Sequence, residues 1–180
     1  MVKVSQGSDD LRYLFRALTE TTFHGDLGVA DPPLVDYLSG LLERFVRIDA
    51  IFRVRDLIGQ RLEQVADMLL AAEERQHNVR RELHRHIGDF ALFWTGVYPE
   101  ALKKLRHPEQ KDALLDYQEQ GKRSYLIAST FDNRPYEDEA PILRRLSDQF
   151  ELCSLGLNRV RREWERLQHR SGGDYNPAWN

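Results

Sequence analysis

Apolar residues recur three and four positions apart through most of this chain, the spacing that lines one face of an α-helix. The pattern is sharpest near the C-terminal end. There Leu146, Phe150, Cys153, Leu157, Val160, Trp164 and Leu167 keep four-three spacing over three heptads, flanked by Arg144, Arg145, Arg159, Arg161, Arg162, Glu163 and Glu165. This predicts a helix over 138–170 whose apolar seam requires a partner helix. A second stripe, Leu62, Val65, Leu69, Ala72, Gln76, Val79 and Leu83, predicts a long helix over 60–87. A third long helix is expected over 108–130, with Leu114, Tyr117, Gly121, Tyr125 and Ala128 on one face. Glycine inside such a face costs about 1 kcal/mol relative to alanine, which points to close approach of another backbone at Gly121.

The remaining segments are shorter. A helix is expected to begin near Ser8 or Asp9 and to carry Leu11, Leu14, Phe15 and Leu18. A loop over 23–33 follows, and Asp31 before two prolines reads as the N-cap of a helix carrying Leu34, Leu38, Leu41, Leu42 and Phe45. The pattern blurs over 48–59, read here as a connection. Gly88 and Asp89 read as a helix stop and restart, the alternative being one continuous, tightly packed helix. Gly96 and Pro99 repeat that punctuation, and 100–106 makes a short turn of helix. Residues 133–141 form a polar loop whose acidic run 137–139 favours a helix N-terminus. The sum is an all-α bundle of five to seven helices in one domain over 1–170, with the three long helices antiparallel and a flexible tail over 171–180.

Composition agrees with a folded globule: of 180 residues, 41% are hydrophobic and 31% charged. No apolar run approaches the roughly 18 residues of a spanning helix, so no membrane partner is expected. Residues 1–10 contain no apolar stretch of the kind a secretory leader carries, so a cytoplasmic location is the expectation. The single cysteine, Cys153, cannot pair internally, which suits a reducing compartment. A net charge of −3, with 26 basic and 29 acidic residues interspersed, offers nucleic acid no electrostatic attraction. That reading would change only if arginines 144, 145, 159, 161 and 162 gathered on one face beside Arg80, Arg81 and Arg85.

Candidate chemistry is sparse. Glu73, Glu74, His77, Glu82, His84 and His86 are metal-ligand types, and Glu74 to His77 has the Glu-x-x-His spacing of helical di-iron sites. Seven residues of straight helix separate His77 from His84 by about 10.5 Å, too far for one ion. No second Glu-x-x-His occurs, so Glu74, His77 and His84 remain only a weak alternative metal site. Cys153 falls inside the heptad seam, where a thiol packs as a small hydrophobe. His24 and Asp26 share a loop, where such residues usually make local turn bonds. No phosphate-binding glycine loop or nucleophile elbow is present, and no catalytic residue or cofactor is expected.

The segment 88–100 is apolar nearly all round its helix and is bounded by glycines. Such a helix is surrounded by protein: either a central core helix, or the wall of a ligand pocket or a dimer interface. Its residues spell Gly-Asp-x-x-Leu-Phe-x-x-Gly-x-x-Pro-Glu, and Tyr117, Gly121 and Tyr125 follow. This pattern resembles an uncharacterised family of bacterial all-helical proteins of about this length, with the resemblance running over about 34–167. Family members commonly carry a second tyrosine where this chain has Gln118. The resemblance implies a bacterial source and an undefined role, and it transfers no catalytic residue.

The leading functional expectation is a non-catalytic interaction or scaffold protein of the bacterial cytoplasm. It would be a homodimer burying part of the last helix or of the 90–98 region, with a seam more apolar than one monomer covers. The alternative is a small-ligand binder or enzyme with an inter-helical pocket. Its candidate residues are Phe90, Phe93, Trp94, Tyr98, Tyr117, Gly121 and Tyr125 as pocket or interface, with His84 or Asp89 as polar groups.

Overall fold

A computed structural model describes residues 3–45 and 61–171, with side chains over 9–45 and 61–170. The expected connection at 48–59 and the expected loose tail beyond 171 lie outside the described residues. Within them the chain is all helical, with eight α-helices and no strand. They are α1 (Lys3–Glu20), α2 (Pro32–Phe45), α3 (Val65–Glu73), α4 (His77–Gly96), α5 (Leu102–Leu105), α6 (Tyr117–Ser129), α7 (Ala140–Asp148) and α8 (Phe150–Ser171). The expected all-α class stands. The count exceeds five to seven because two expected long helices are broken and one short turn is helical.

The contacts cluster into two compact units, one of residues 1–51 and 155–180, the other of 52–154. In the first, α1 runs into a π-helical turn, Thr21–Asp26, which buries Phe23 completely. Asp31 caps α2 as its place before two prolines requires, its Oδ1 accepting from the Leu34 N–H at 3.2 Å. Leu34, Leu38, Leu41 and Phe45 of α2 are buried. Phe15 meets Trp164 of α8 edge-on, with ring centroids 5.3 Å apart.

In the second unit α6 packs along α4, with α3 also against α4 and α7 against α6. The helix expected over 60–87 breaks at residues 74–76, and His77 opens α4 at φ +52°. No glycine or proline marks this break. The six residues 73–78 are all polar, so the apolar stripe has no anchor over that turn, and Val79 beyond it is about half exposed.

Helix α4 then continues straight through Gly88 and Asp89, so the continuous alternative holds and the stop does not. A Cβ at Gly88 would lie 2.6 Å from the Tyr125 ring, so the glycine is there for packing and not for a turn. Gly121 of α6 is matched in the same way: its Cβ would lie 2.5 Å from the Phe150 ring and 2.9 Å from Ala91. The close neighbours at Gly121 are therefore side chains, where the expectation was a backbone.

The helix expected over 108–130 starts only at Tyr117, because Asp116 caps it by accepting from the Glu119 N–H at 3.1 Å. Residues before it form turns whose Asp112 is used elsewhere. The helix expected over 138–170 is interrupted at Gln149 (φ −115°, ψ 26°), and the heptad seam passes across the break from Leu146 to Phe150 without losing burial.

Candidate functional site

The second unit buries several polar and charged side chains. Arg81, His84, Asp89, Asp112 and Ser124 are all buried, and their partners define three clusters around α4 and α6. Burying such groups costs free energy unless each finds a partner, so the pairing shows what each is for.

At the centre of the α4–α6 packing, the Tyr125 hydroxyl donates to Asp89 Oδ1 at 2.8 Å while its ring covers Gly88. One turn earlier on α4, His84 Nδ1 lies 3.4 Å from Ser124 Oγ, a bond whose direction depends on the imidazole tautomer. Burial first, and then the charges of Arg80 and Arg123, push His84 down to about 4 from its ordinary 6.5, so it is neutral at pH 7.

The second cluster closes the N-terminus of α3. Its N-cap residue, Gln64, makes no side-chain cap bond. Asp112, some 46 residues further along, supplies both carboxylate oxygens instead, accepting from Val65 N–H and Ala66 N–H at 2.8 Å each. The Tyr117 hydroxyl donates to the same carboxylate at 2.6 Å. Burial, and then the anionic Asp112, push the Tyr117 phenol far above its ordinary range. Around this cap Lys111 pairs with Asp67 at 2.7 Å and its N–H donates to Gln64 Oε1 at 2.8 Å.

The third cluster is ionic. Arg81, only 1% exposed, bonds Glu82 and Glu139, and its guanidinium carbon lies 3.9 Å from the centroid of the Tyr136 ring. Arg85 adds contacts to Glu82 and Glu139 at 3.3 Å each. The group ties the loop before α7 to the first half of α4.

The residues singled out in the sequence divide accordingly. Phe90, Phe93, Trp94 and Tyr98 are all buried, their rings 5.2 to 6.4 Å apart in edge-on and tilted pairs, and Tyr117, Gly121 and Tyr125 are buried as well. The heptad seam is covered too: Leu146, Phe150, Cys153, Leu157, Val160 and Trp164 are buried, and only Leu167 is partly exposed. Glu74 and His77 stand in solvent at the α3–α4 break while His84 is buried. Among the described residues no three His, Cys, Asp or Glu side chains are grouped so as to hold a metal ion. His24 and Asp26 are exposed in the π-helical turn. Of the arginines that could have formed a basic face, Arg81, Arg85, Arg144 and Arg161 are held in ion pairs.

Two depressions border the second unit. One, of about 310 Å³, is lined by Leu62, Asp67, Leu70, Ala71, Glu74 and Lys111; the other, of about 420 Å³, lies along the outer side of α6 beside Arg123, Leu126 and Ser147. Neither is lined by the 88–98 aromatics. No helix among the described residues is long and apolar enough to cross a membrane. Sequence reasoning missed the roles of Asp112 and Arg81 because their partners lie 46 to 58 residues away.

These features define an all-α helical protein with a polar network buried between α4 and α6. No protein-family model, curated protein or solved structure matches the chain.

Proposed function

We propose that this chain is a non-catalytic interaction protein of the bacterial cytoplasm. The observation that carries the reading is the state of the 88–98 segment: its aromatic rings fill the interior, and Asp89 and Tyr125, polar groups beside them, spend their bonds on each other. A ligand pocket requires the opposite arrangement, an open apolar concavity with a few convergent polar groups.

Among the described residues the heptad seam is buried from Leu146 to Trp164, so the self-association expected from its heptads is assigned to other residues. Leu70 of α3 is 61% exposed at the mouth of the 310 Å³ depression, and Leu114 is 96% exposed. These two exposed leucines are the residues we assign to a contact between two copies of the chain. Native mass spectrometry with elemental analysis of the purified protein tests both parts. A dimer free of ligand and metal that dissociates on Leu70→Ser with Leu114→Ser supports the proposal. A stoichiometric small molecule or transition metal contradicts the non-catalytic reading, and a monomer contradicts the self-association.

A further inference from the structure

Helix α8 carries a charged row on the side opposite its buried seam. The seam residues Cys153, Leu157, Val160 and Trp164 are covered by protein. Across the helix from them Leu155, Arg159, Arg162, Arg166 and Arg170 follow one another at four-three-four-four spacing, and all five are exposed. At 3.6 residues per turn these positions fall within an arc of about 80°. The arginines therefore form a row parallel to the helix axis, about 16.5 Å long from Arg159 to Arg170.

The row is short of counter-charge. Glu163, at its margin, bonds Arg166. Among the described residues Arg159, Arg162 and Arg170 have no carboxylate partner, whereas Arg161, on another face of the same helix, pairs with Glu165 at 2.7 Å. Like charges three and four positions apart repel, and a merely solvated helix face alternates in sign. The helix dipole accounts for a cation in the last turn, Arg170, but not for Arg159 and Arg162 in mid-helix.

We propose that this row docks an acidic helix of a partner protein, one presenting carboxylates at matching three- and four-residue spacing and an apolar residue to Leu155. A second helix lying alongside repeats at the same pitch, so it can meet successive guanidiniums with carboxylates, each through paired hydrogen bonds. Leu155 favours such a partner over a nucleic acid: 48% exposed and in line with the arginines, it finds nothing to contact on a phosphate backbone, while a helix can bring an apolar side chain to it. A membrane surface would take up the apolar face of an amphipathic helix, and that face of α8 is buried. The net charge of −3 also works against capture of a polyanion. Leu70 and Leu114 belong to the second unit and the row to the first, so this contact and the one between copies stand or fall separately.

The test is calorimetric titration of the whole chain, at about 150 mM salt, with a capped, alanine-rich helical peptide of about 21 residues. The peptide carries glutamates at three-four-four spacing and a leucine four residues from one end of that row. Saturable one-to-one binding is expected, with NMR amide shifts confined to 155–170. Arg159→Gln with Arg162→Gln should weaken binding about tenfold without moving the melting temperature. Arg80→Gln with Arg144→Gln, the same change in net charge on exposed residues of the second unit, should leave binding unaltered. A peptide of identical composition with its glutamates scattered round the helix should bind about tenfold more weakly. The proposal is overturned by undetectable binding, by equal losses in the two double variants, or by equal binding of the scattered peptide. Tighter binding of a DNA duplex of about 20 base pairs, or of phosphatidylcholine vesicles containing about one-third phosphatidylglycerol, overturns it as well.

Discussion

Arg81 is stacked on Tyr136, its guanidinium carbon 3.9 Å from the ring centroid, in a position where the same guanidinium also holds Glu82 and Glu139. The contact joins α4 to the loop that leads into α7, two segments more than fifty residues apart in sequence. Removing Arg81 leaves the half-buried Glu139 with Arg85 alone at 3.3 Å and empties a buried site, a loss of about 2–4 kcal/mol. Arg81→Ala should therefore lower the unfolding free energy, measured by urea denaturation, by about that amount. Tyr136→Leu should cost only about 1 kcal/mol, because the ion pairs survive and only the ring face is lost.

Gly88 and Tyr125 make a second prediction. A methyl group at Gly88 would meet the Tyr125 ring at 2.6 Å, and the ring is tied in place by its bond to Asp89. Gly88→Ala should destabilise by about 1–3 kcal/mol, although alanine is intrinsically the better helix former. Tyr125→Leu should relieve part of that loss, so the double variant should be more stable than the sum of the singles predicts. Strict additivity would show that the ring does not press on the glycine.

Asp112 should behave as a helix cap acting from a distance. It serves two N–H groups of α3 and the Tyr117 hydroxyl. Asp112→Ala should cost about 2–4 kcal/mol, from the lost cap and the stranded phenol together. Tyr117→Phe should cost about 1 kcal/mol, and amide exchange in α3 should accelerate in the first variant far more than in the second.

How much of this was legible depends on how local the cause is. Asp31 before Pro32 and Pro33 announces its helix, and the seam from Leu146 to Trp164 announces its burial, because both signals lie within a few residues of their effect. The cap of α3 does not, since its acceptor arrives from a turn 46 residues away. Gly88 misled for a related reason: glycine serves both a turn and a close ring contact, and only the position of Tyr125 distinguishes them. The break at residues 74–76 was visible only as a gap in the apolar stripe, which a continuous helical spacing on either side concealed. The buried polar groups were visible as residue types, but their pairings belong to the packing of α4 on α6.

The depressed His84 gives the protein an acid dependence with a definite sign. Folded His84 titrates near 4 and the unfolded residue near 6.5, so between those values the unfolded chain binds a proton that the folded chain refuses. Stability is whole above pH 6.5, falls as pH drops toward 4, and loses nothing further to this group below that. Its share is at most about 3 kcal/mol. The difference in unfolding free energy between wild type and His84→Gln, followed from pH 7.5 to 4.5, should shrink across that window. A pH-independent difference would contradict it.

The account rests on the aromatic segment around Phe90, Phe93 and Trp94 being closed interior, and hydrogen exchange measured residue by residue tests that most directly. Amides over 88–96 should exchange only through global unfolding, with protection equal to the full stability of the second unit. Exchange by local opening at a small fraction of that free energy would mean that the segment is a wall that moves, and the closed-core reading would fail.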